Sequence, residues 1–401
     1  MPQEKLEAEY QQRENRAAMG AGLFTNSVWD MLSVVVPLYA VAVGLNAAEI
    51  GLIVAARSVL PTALSIHGGI LMDQLGTRRL LMWAAAGCAT LPLLYPISGW
   101  FAVLTGLQLL LGFASSLGMA ASQTWSMQSS HGDTALLARY SVFSRIGTFI
   151  GPVVVGAAWD LLGSWAAFTC VALCGAGIAA AAAHGASIAP RQPARPQVAS
   201  VLVPNWEEHK RAFALAAIPA VAFILAVSFL RNAPGAVQSS LYVVYLNGIG
   251  LSGTLIGLLV ALSELFGVFG SLAAAPMERR LRGDRLVVAC IAASIAAIAV
   301  TPLIGHFFAL LIAASAVRGI AQGVSQPLMY SILSHAAPST RHGASVGLRN
   351  AVVRCASIVT PAVMGVVAEA WGIEASFYVV GTVLLLASAA LVFASRQLKF
   401  Q

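Results

Sequence analysis

The sequence predicts an all-α membrane protein: twelve transmembrane helices in two six-helix halves related by a parallel repeat. Three observations predict it. The first is composition: of 401 residues, 58% are hydrophobic and 10% charged, and the mean hydropathy is +0.81. Soluble domains carry about 25% charged residues. A soluble chain this long needs far more charge to cover its surface, which excludes a cytosolic enzyme, a disordered protein and a nucleic-acid binder. The second is the alternation of long apolar runs with short polar breaks that carry Lys and Arg on one side only. The third is that the second half of the chain repeats the first.

Residues 1–17, MPQEKLEAEYQQRENRA, are strongly polar and lack the apolar core of a signal peptide, so they read as a short cytoplasmic tail. A span needs about 20 apolar residues. Spans 1 to 6 fall at about 18–44, 48–72, 79–97, 100–128, 137–161 and 164–188. The stretch 189–211 is Pro-rich and is the one long polar interruption, so it reads as a cytoplasmic linker. Spans 7 to 12 follow at about 212–246, 251–276, 285–304, 307–334, 344–369 and 373–395, and 396–401 forms a second cytoplasmic tail. Lipid offers no partner to open backbone groups, so these runs must be helices. The halves are therefore 18–188 and 212–395.

Lys and Arg set the orientation. Lys5, Arg13 and Arg16 lie in the first tail, Arg78 and Arg79 between spans 2 and 3, and Arg139 before span 5. Arg191, Arg195, Lys210 and Arg211 lie in the linker, and Arg279, Arg280, Arg282 and Arg285 between spans 8 and 9. Arg341 precedes span 11; Arg396 and Lys399 follow span 12. The opposite loops, around Asn46, Ser98, Gly163, Gly250, Gly305 and Gly372, contain neither residue. Both termini are expected in the cytoplasm, in a cell inner membrane.

Span 5 from Ser144, SRIGTFIGPVVVGAAWDLLGSWAAF, aligns with span 11 from Val353, VRCASIVTPAVMGVVAEAWGIEASF. Arg145 meets Arg354, Pro152 meets Pro361, Gly156 meets Gly365, Asp160 meets Glu369, Gly163 meets Gly372 and Phe168 meets Phe377, at a constant offset of 209 (354 − 145). GLNAAEIGLIVA from Gly44 aligns with GLSGTLIGLLVA from Gly250 at an offset of 206. Two six-helix halves in parallel repeat are a transporter architecture, with a site expected at mid-depth.

Three segments carry a family resemblance. Between spans 2 and 3 stands Gly69-Ile-Leu-Met-Asp73-Gln-Leu-Gly76-Thr-Arg78-Arg79, which resembles the loop signature of the major facilitator superfamily. Span 5 carries Gly147, Gly151, Pro152 and Gly156, similar to the Gly-Pro signature of that family's drug:proton antiporters. The repeat is the third. The resemblance implies a secondary transporter, not an enzyme, working by alternating access and most readily by proton-coupled export. One departure stands out: the family's exporters usually carry an Arg in span 4 where this chain has Gln108, while span 10 has Arg318.

The gating residues have a physical reading of their own. Gly69 and Gly76 allow close approach and a tight turn. Asp73 can sit at a neighbouring helix N-terminus, where its charge meets the positive dipole end. Arg78 and Arg79 can anchor at an anionic leaflet, and such a contact can act as a latch. Gly147, Gly151 and Gly156 make a smooth packing face and Pro152 a kink. Plain anchoring and close packing explain these residues as well.

Ionisable groups at mid-depth cost about 2.5–3.5 kcal/mol each on the insertion scale, so they are functional candidates. They are Asp30, Arg57, Arg145, Arg231, Glu264, Arg318 and Arg354: five Arg against two acids. Arg recognises carboxylate or phosphate bidentately and keeps its proton. The surplus points to an anionic or amphipathic organic substrate held mainly by Arg231 and Arg318, with Arg57, Arg145 and Arg354 as further candidates. Arg145 and Arg354 are equally readable as structural pairs. Asp30 is the first proton-coupling candidate and Glu264 the second, because a carboxylate in a low-dielectric cavity can load a proton near neutral pH. Asn26, Trp29, Gln123, Gln238, Tyr242, Gln322 and Gln326 could shape the pocket.

Other signals are set aside. The five cysteines lie inside apolar runs and give no disulfide or metal spacing. Gly343-Ala-Ser345-Val-Gly347 fits a nucleophile-elbow pattern but opens a membrane helix rather than following a strand. No Walker-type loop appears, and no cofactor or metal is expected. The expected partners are a small organic substrate, protons and the lipid bilayer, for a monomer. Uptake or exchange of an organic anion is the near alternative. A transporter-like receptor without turnover is the distant one.

Overall fold

The structure, a computed structural model, describes residues 2–64, 72, 75–130, 133–185, 219–280, 283–336 and 342–397. The described residues contain helix and no strand. The first helix, Pro2–Ala42, runs without a break from the polar tail into span 1. Span 2 is Ala47–Ala63, and span 3 is Thr77–Thr90 followed by a 3₁₀ stretch, Leu91–Ile97. Span 4 is Phe101–Ser130. Spans 5 and 6 are two helices within Thr134–His184 that meet at a break at Gly163 (φ 80°, ψ −170°). Span 7 consists of Pro219–Val237, a π-helical segment Gln238–Tyr242, and Val243–Gly248. Span 8 is Gly253–Glu278; span 9 is Gly283–Ala299 with a short turn, Thr301–Ile304. Spans 10, 11 and 12 are Phe308–Ala336, His342–Trp371 and Ile373–Gln397. The linker expected at 189–211 lies outside the described residues.

Eight helices among the described residues are long and apolar enough to cross a membrane. They cover nine of the expected spans, because spans 5 and 6 are counted as one helix across Gly163. Spans 2 and 9 are described as helices of 17 residues, and span 7 is interrupted by its π segment. Large apolar side chains cover the outside: Leu161 is 80% exposed, Leu272 73% and Leu386 65%. In water that surface would be an aggregation hazard; in lipid it is the natural outer face.

The repeat register holds in the backbone. Gly163 and Gly372 have φ of 80° and 90°, and Gly44 and Gly250 have φ of 80° and 88°. These are the repeat-matched residues of the loops that lack Lys and Arg. A side chain at such a φ costs about 1 kcal/mol, which explains why glycine stands at both copies of each turn.

The chain divides into two compact units, each holding a short piece from the other half of the sequence. Unit 1 is Met1–Val43, Ala56–Val203 and Ser252–Ala261; unit 2 is Gly44–Ala55, Pro204–Leu251 and Leu262–Gln401. Unit 1 has its core where spans 1, 3, 4 and 6 meet, around Met31, Leu81, Tyr95, Leu111 and Phe168, all under 3% exposed. Tyr95 stacks on Phe168 at 4.8 Å, and Tyr39 meets the same ring edge-on at 5.4 Å. In unit 2, Tyr245 and Phe377 make the corresponding aromatic contact at 5.7 Å.

Candidate functional site

In unit 2, spans 7 and 10 face each other through a polar ladder. Span 7 contributes Arg231, Gln238 and Tyr242; span 10 contributes Ser315, Arg318, Gln322, Ser325 and Gln326. Steps of three and four residues keep the span 10 set on one helical face, and the seven-residue step puts Gln238 on the face of Arg231; Tyr242, across the π segment, is placed by its contact with Arg318. Arg231 donates from Nε to Ser325 Oγ (3.0 Å) and from Nη2 to the Gln322 carbonyl (3.1 Å) and Gln326 Oε1 (3.2 Å). Next to it, Asn232 donates to Ser357 Oγ (2.7 Å) and the Val353 carbonyl (3.0 Å) of span 11.

Arg318 is 2% exposed. Its Nε donates to Ser263 Oγ of span 8 at 3.2 Å, and its guanidinium lies 5.3 Å from the Tyr242 ring centroid. Glu264 and Arg318 interact electrostatically. Three buried side-chain N–H groups of the ladder have no acceptor among the described residues: Gln238 Nε2, Arg318 Nη2 and Gln322 Nε2. A buried donor without a partner costs about 1–3 kcal/mol, so three in one ladder suit a ligand rich in oxygen acceptors. The π segment Gln238–Tyr242, with Ser240 at φ −132° and ψ −109°, lies in the same ladder. π-bulges are frequent at functional sites.

In unit 1, spans 1 and 2 bring a second group together. Arg57, 4% exposed, lies over the Trp29 ring at 3.5 Å and donates from Nη2 to the Trp29 carbonyl. Its Nε has no acceptor among the described residues. Asp30 and Arg57 interact electrostatically. Each unit thus holds a buried Arg over an aromatic ring with a carboxylate near it: Arg57, Trp29 and Asp30, then Arg318, Tyr242 and Glu264. The repeat does not align the two Arg, which lie on spans 2 and 10. Gln108 is 1% exposed and accepts from the Tyr95 hydroxyl at 2.6 Å.

Other sequence candidates lie elsewhere. Asn26 donates back to the Gly22 carbonyl of its own helix (2.7 Å), and Gln123 is exposed on span 4. Arg145 is exposed on span 5, and its repeat match Arg354 is half-buried on span 11. Gly69 and Asp73 lie outside the described residues. Gly76 turns the chain at φ 86°. Arg78 donates to the Ala182 (2.7 Å) and Ala183 (3.2 Å) carbonyls, capping the end of span 6, whereas Arg79 is exposed.

The span-5 glycines serve two neighbours rather than one continuous face. A Cβ at Gly147 would meet the Leu23 carbonyl and Ser27 Oγ, and one at Gly151 would meet Ser27 and Met31, all of span 1. A Cβ at Gly156 would meet the Gly253 carbonyl of span 8, and one at Gly257 would meet the Pro152 carbonyl. Unit 2 repeats this second crossing: Gly51 abuts the Pro361 carbonyl and Gly365, and Gly365 abuts Ala47.

The sequence reading missed several contacts. Ser263 and Ser325 engage the two ladder arginines, and single serines in apolar runs give no signal. Glu14 lies in the stretch that reads as a polar tail, yet it is 1% exposed and accepts from Trp125 Nε1 at 2.8 Å. Its burial with Ala17, Ala18 and Ala21 follows a three-and-four spacing that was legible once Glu14 was allowed on the buried face.

The sequence matches the Major Facilitator Superfamily over residues 18–305 and 224–399. The chain belongs to the Major Facilitator Superfamily. Among solved structures, the fold is similar to that of the nucleoside transporter NupG, with a TM-score of 0.78, 14% identity, and coverage of 97% of this chain and 100% of that one. A NupG mutant gives a TM-score of 0.79 at 14% identity, covering 95% and 99%. A POT family transporter in complex with 5-aminolevulinic acid gives 0.73 at 14%, covering 96% and 97%. No curated protein matches the sequence. This MFS member is a multi-pass membrane transporter rather than an enzyme.

Proposed function

We propose that this MFS member exports a small organic compound, anionic or amphipathic, by alternating access coupled to protons. The single observation that carries the substrate class is the span 7–span 10 ladder, where Gln238, Arg318 and Gln322 each keep a buried N–H without an acceptor among the described residues. A carboxylate or another oxygen-rich group would supply those acceptors, and a buried guanidinium favours an anion. Arg231 orders the ladder through Ser325, Gln322 and Gln326.

Asp30 is the proposed proton carrier. Loss of its charge on protonation would remove a partner of the buried Arg57 guanidinium, which gives proton uptake a structural consequence. Glu264 beside Arg318 is the second candidate and would tie protonation to the ladder itself. Export, as in the drug:proton antiporters, rests on the span-5 Gly-Pro signature. The one-sided Lys and Arg support an inner-membrane location with both termini cytoplasmic. The chain is proposed to act as a monomer, with residues 18–188 and 212–395 as its moving halves.

The experiment is flux into proteoliposomes. Arg318→Gln should abolish most uptake of a responsive organic anion. Asp30→Asn should keep binding and lose the dependence on a pH gradient. Transport of wild-type rate and coupling in both variants would overturn the assignment.

A further inference from the structure

Unit 1 holds a buried guanidinium with an open donor. Arg57, 4% exposed, stands on span 2 with its carbonyl against Gly112 of span 4, where no Cβ fits. That contact fixes the backbone from which the side chain extends. The guanidinium lies over the Trp29 ring at 3.5 Å, and its Nη2 donates to the Trp29 carbonyl. Its Nε is buried and has no acceptor among the described residues. Trp29 and Asp30 are half-buried, so the group is not sealed from small species.

The surroundings leave one charge that changes with pH. Asp30 of span 1, and Tyr95 and Cys88 of span 3, are the electrostatic neighbours of Arg57. A phenol and a thiol ordinarily titrate above neutral pH. Span 4 contributes Gln108, bonded to Tyr95, and Gly112, neither of them charged. While Asp30 is ionised, Arg57 has a countercharge. Once Asp30 takes up a proton, the guanidinium keeps its own, and a buried cation without a countercharge is strongly unfavourable. An anion entering at that point restores the balance and supplies the acceptor that Nε lacks.

The geometry also limits which anion. A carboxylate is held best by two parallel N–H groups. Here Nη2 is committed to a carbonyl and the indole covers one face, so Nε is a single-point donor. A one-centre acceptor, a halide, fits that better.

We propose that Arg57, Trp29 and Asp30 form a halide site of unit 1, loaded with chloride when Asp30 is protonated. The proposal rests on the reading of Asp30 as a proton-binding group. Proton and halide bind together, so halide affinity rises as pH falls through the Asp30 titration and is lost above it.

The test is quenching of tryptophan emission by iodide in the purified full-length chain, in detergent at constant ionic strength and without substrate. Iodide bound at the Trp29 ring gives a saturable component above the linear collisional quenching of exposed tryptophans such as Trp83 and Trp100. Its affinity should be about tenfold lower at about pH 8 than at about pH 5.5. Chloride should displace the iodide, and small carboxylates should not. Trp29→Phe should remove the signal while chloride still raises the melting temperature. Arg57→Gln should remove both effects, and Asp30→Asn should keep iodide binding at both pH values. Should Arg57→Gln fold poorly, Arg57→Lys keeps the charge, loses the fork and should bind iodide about tenfold more weakly. No saturable component at acid pH, one indifferent to pH, or displacement by carboxylates and not by chloride would overturn the proposal. A coupling defect in Asp30→Asn without an iodide site would sink this proposal and leave the proton-carrier reading standing. An iodide site with coupling intact in that variant would do the reverse.

Discussion

Arg318→Gln separates a ligand-binding charge from a structural one, and its size can be worked from the contacts. Arg318 is 2% exposed, makes one bond to Ser263 and leaves Nη2 without an acceptor among the described residues. A hydrogen bond to a charged group contributes about 1.5–3 kcal/mol. At about 1.4 kcal/mol per decade, its loss should raise the Kd for an anionic ligand roughly 10- to 150-fold. Stability should move the other way. Interhelical bonds in membranes average about 0.6 kcal/mol, while an unsatisfied buried donor costs about 1–3 kcal/mol. With Glu264→Gln added, so that no carboxylate is left without its cation, the variant should therefore melt at or above the wild-type temperature. Arg231→Gln should behave differently: three bonds at about 0.6 kcal/mol each amount to roughly 2 kcal/mol of lost stability. The assay is thermal unfolding of purified protein in detergent, with and without each member of a panel of small organic anions. Ligand binding raises the melting temperature in proportion to its affinity. Adding Glu264→Gln to Arg318→Gln checks that a lone carboxylate does not distort the comparison. A full ligand-induced rise in Arg318→Gln would refute the reasoning.

Further predictions concern coupling, packing and the inner end. Asp30→Asn should keep the ligand-induced rise in melting temperature while uptake loses its response to a pH gradient; retained gradient-driven uptake removes Asp30 as carrier. Gly156→Val should overpack the span 5–span 8 seam at a cost of about 1–3 kcal/mol, whereas Gly106→Ala, with nothing within 4 Å of the new Cβ, should stabilise its helix by about 0.5–1 kcal/mol. Thermal unfolding of both reads the contrast. Glu14→Ala should release the Trp125 indole and quicken proteolysis of the first helix under native conditions, with little change at the ladder.

Much of the fold was legible because lipid forces long apolar runs into helices and because the loop glycines recur at a fixed offset. Gly163 and Gly372 match in the sequence at the offset of 209, and both hold left-handed turns. The π segment at Gln238–Tyr242 left no such trace, because its apolar and polar spacing also fits a regular helix. The candidate site was half legible. The inventory of buried charges named Arg231, Arg318, Arg57, Asp30 and Glu264, since an ionisable residue in an apolar run is conspicuous. Their partners were not legible: Ser263 meets Arg318 across 55 residues, and Ser325 meets Arg231 across 94. The matched acids Asp160 and Glu369 mark the repeat in the sequence, but only the crossing of spans 5 and 8, and of 11 and 2, shows that they accept from the N–H groups of Gly253 and Ala47.

The central claim is that the span 7–span 10 ladder serves an organic anion moved against protons. Its most direct test is proton movement in proteoliposomes containing a pH-sensitive dye, challenged with small organic anions and then with lipophilic cations. The account predicts a dye response to anions that disappears in Arg318→Gln and in Asp30→Asn. A response to lipophilic cations alone, unchanged in Arg318→Gln, would contradict it.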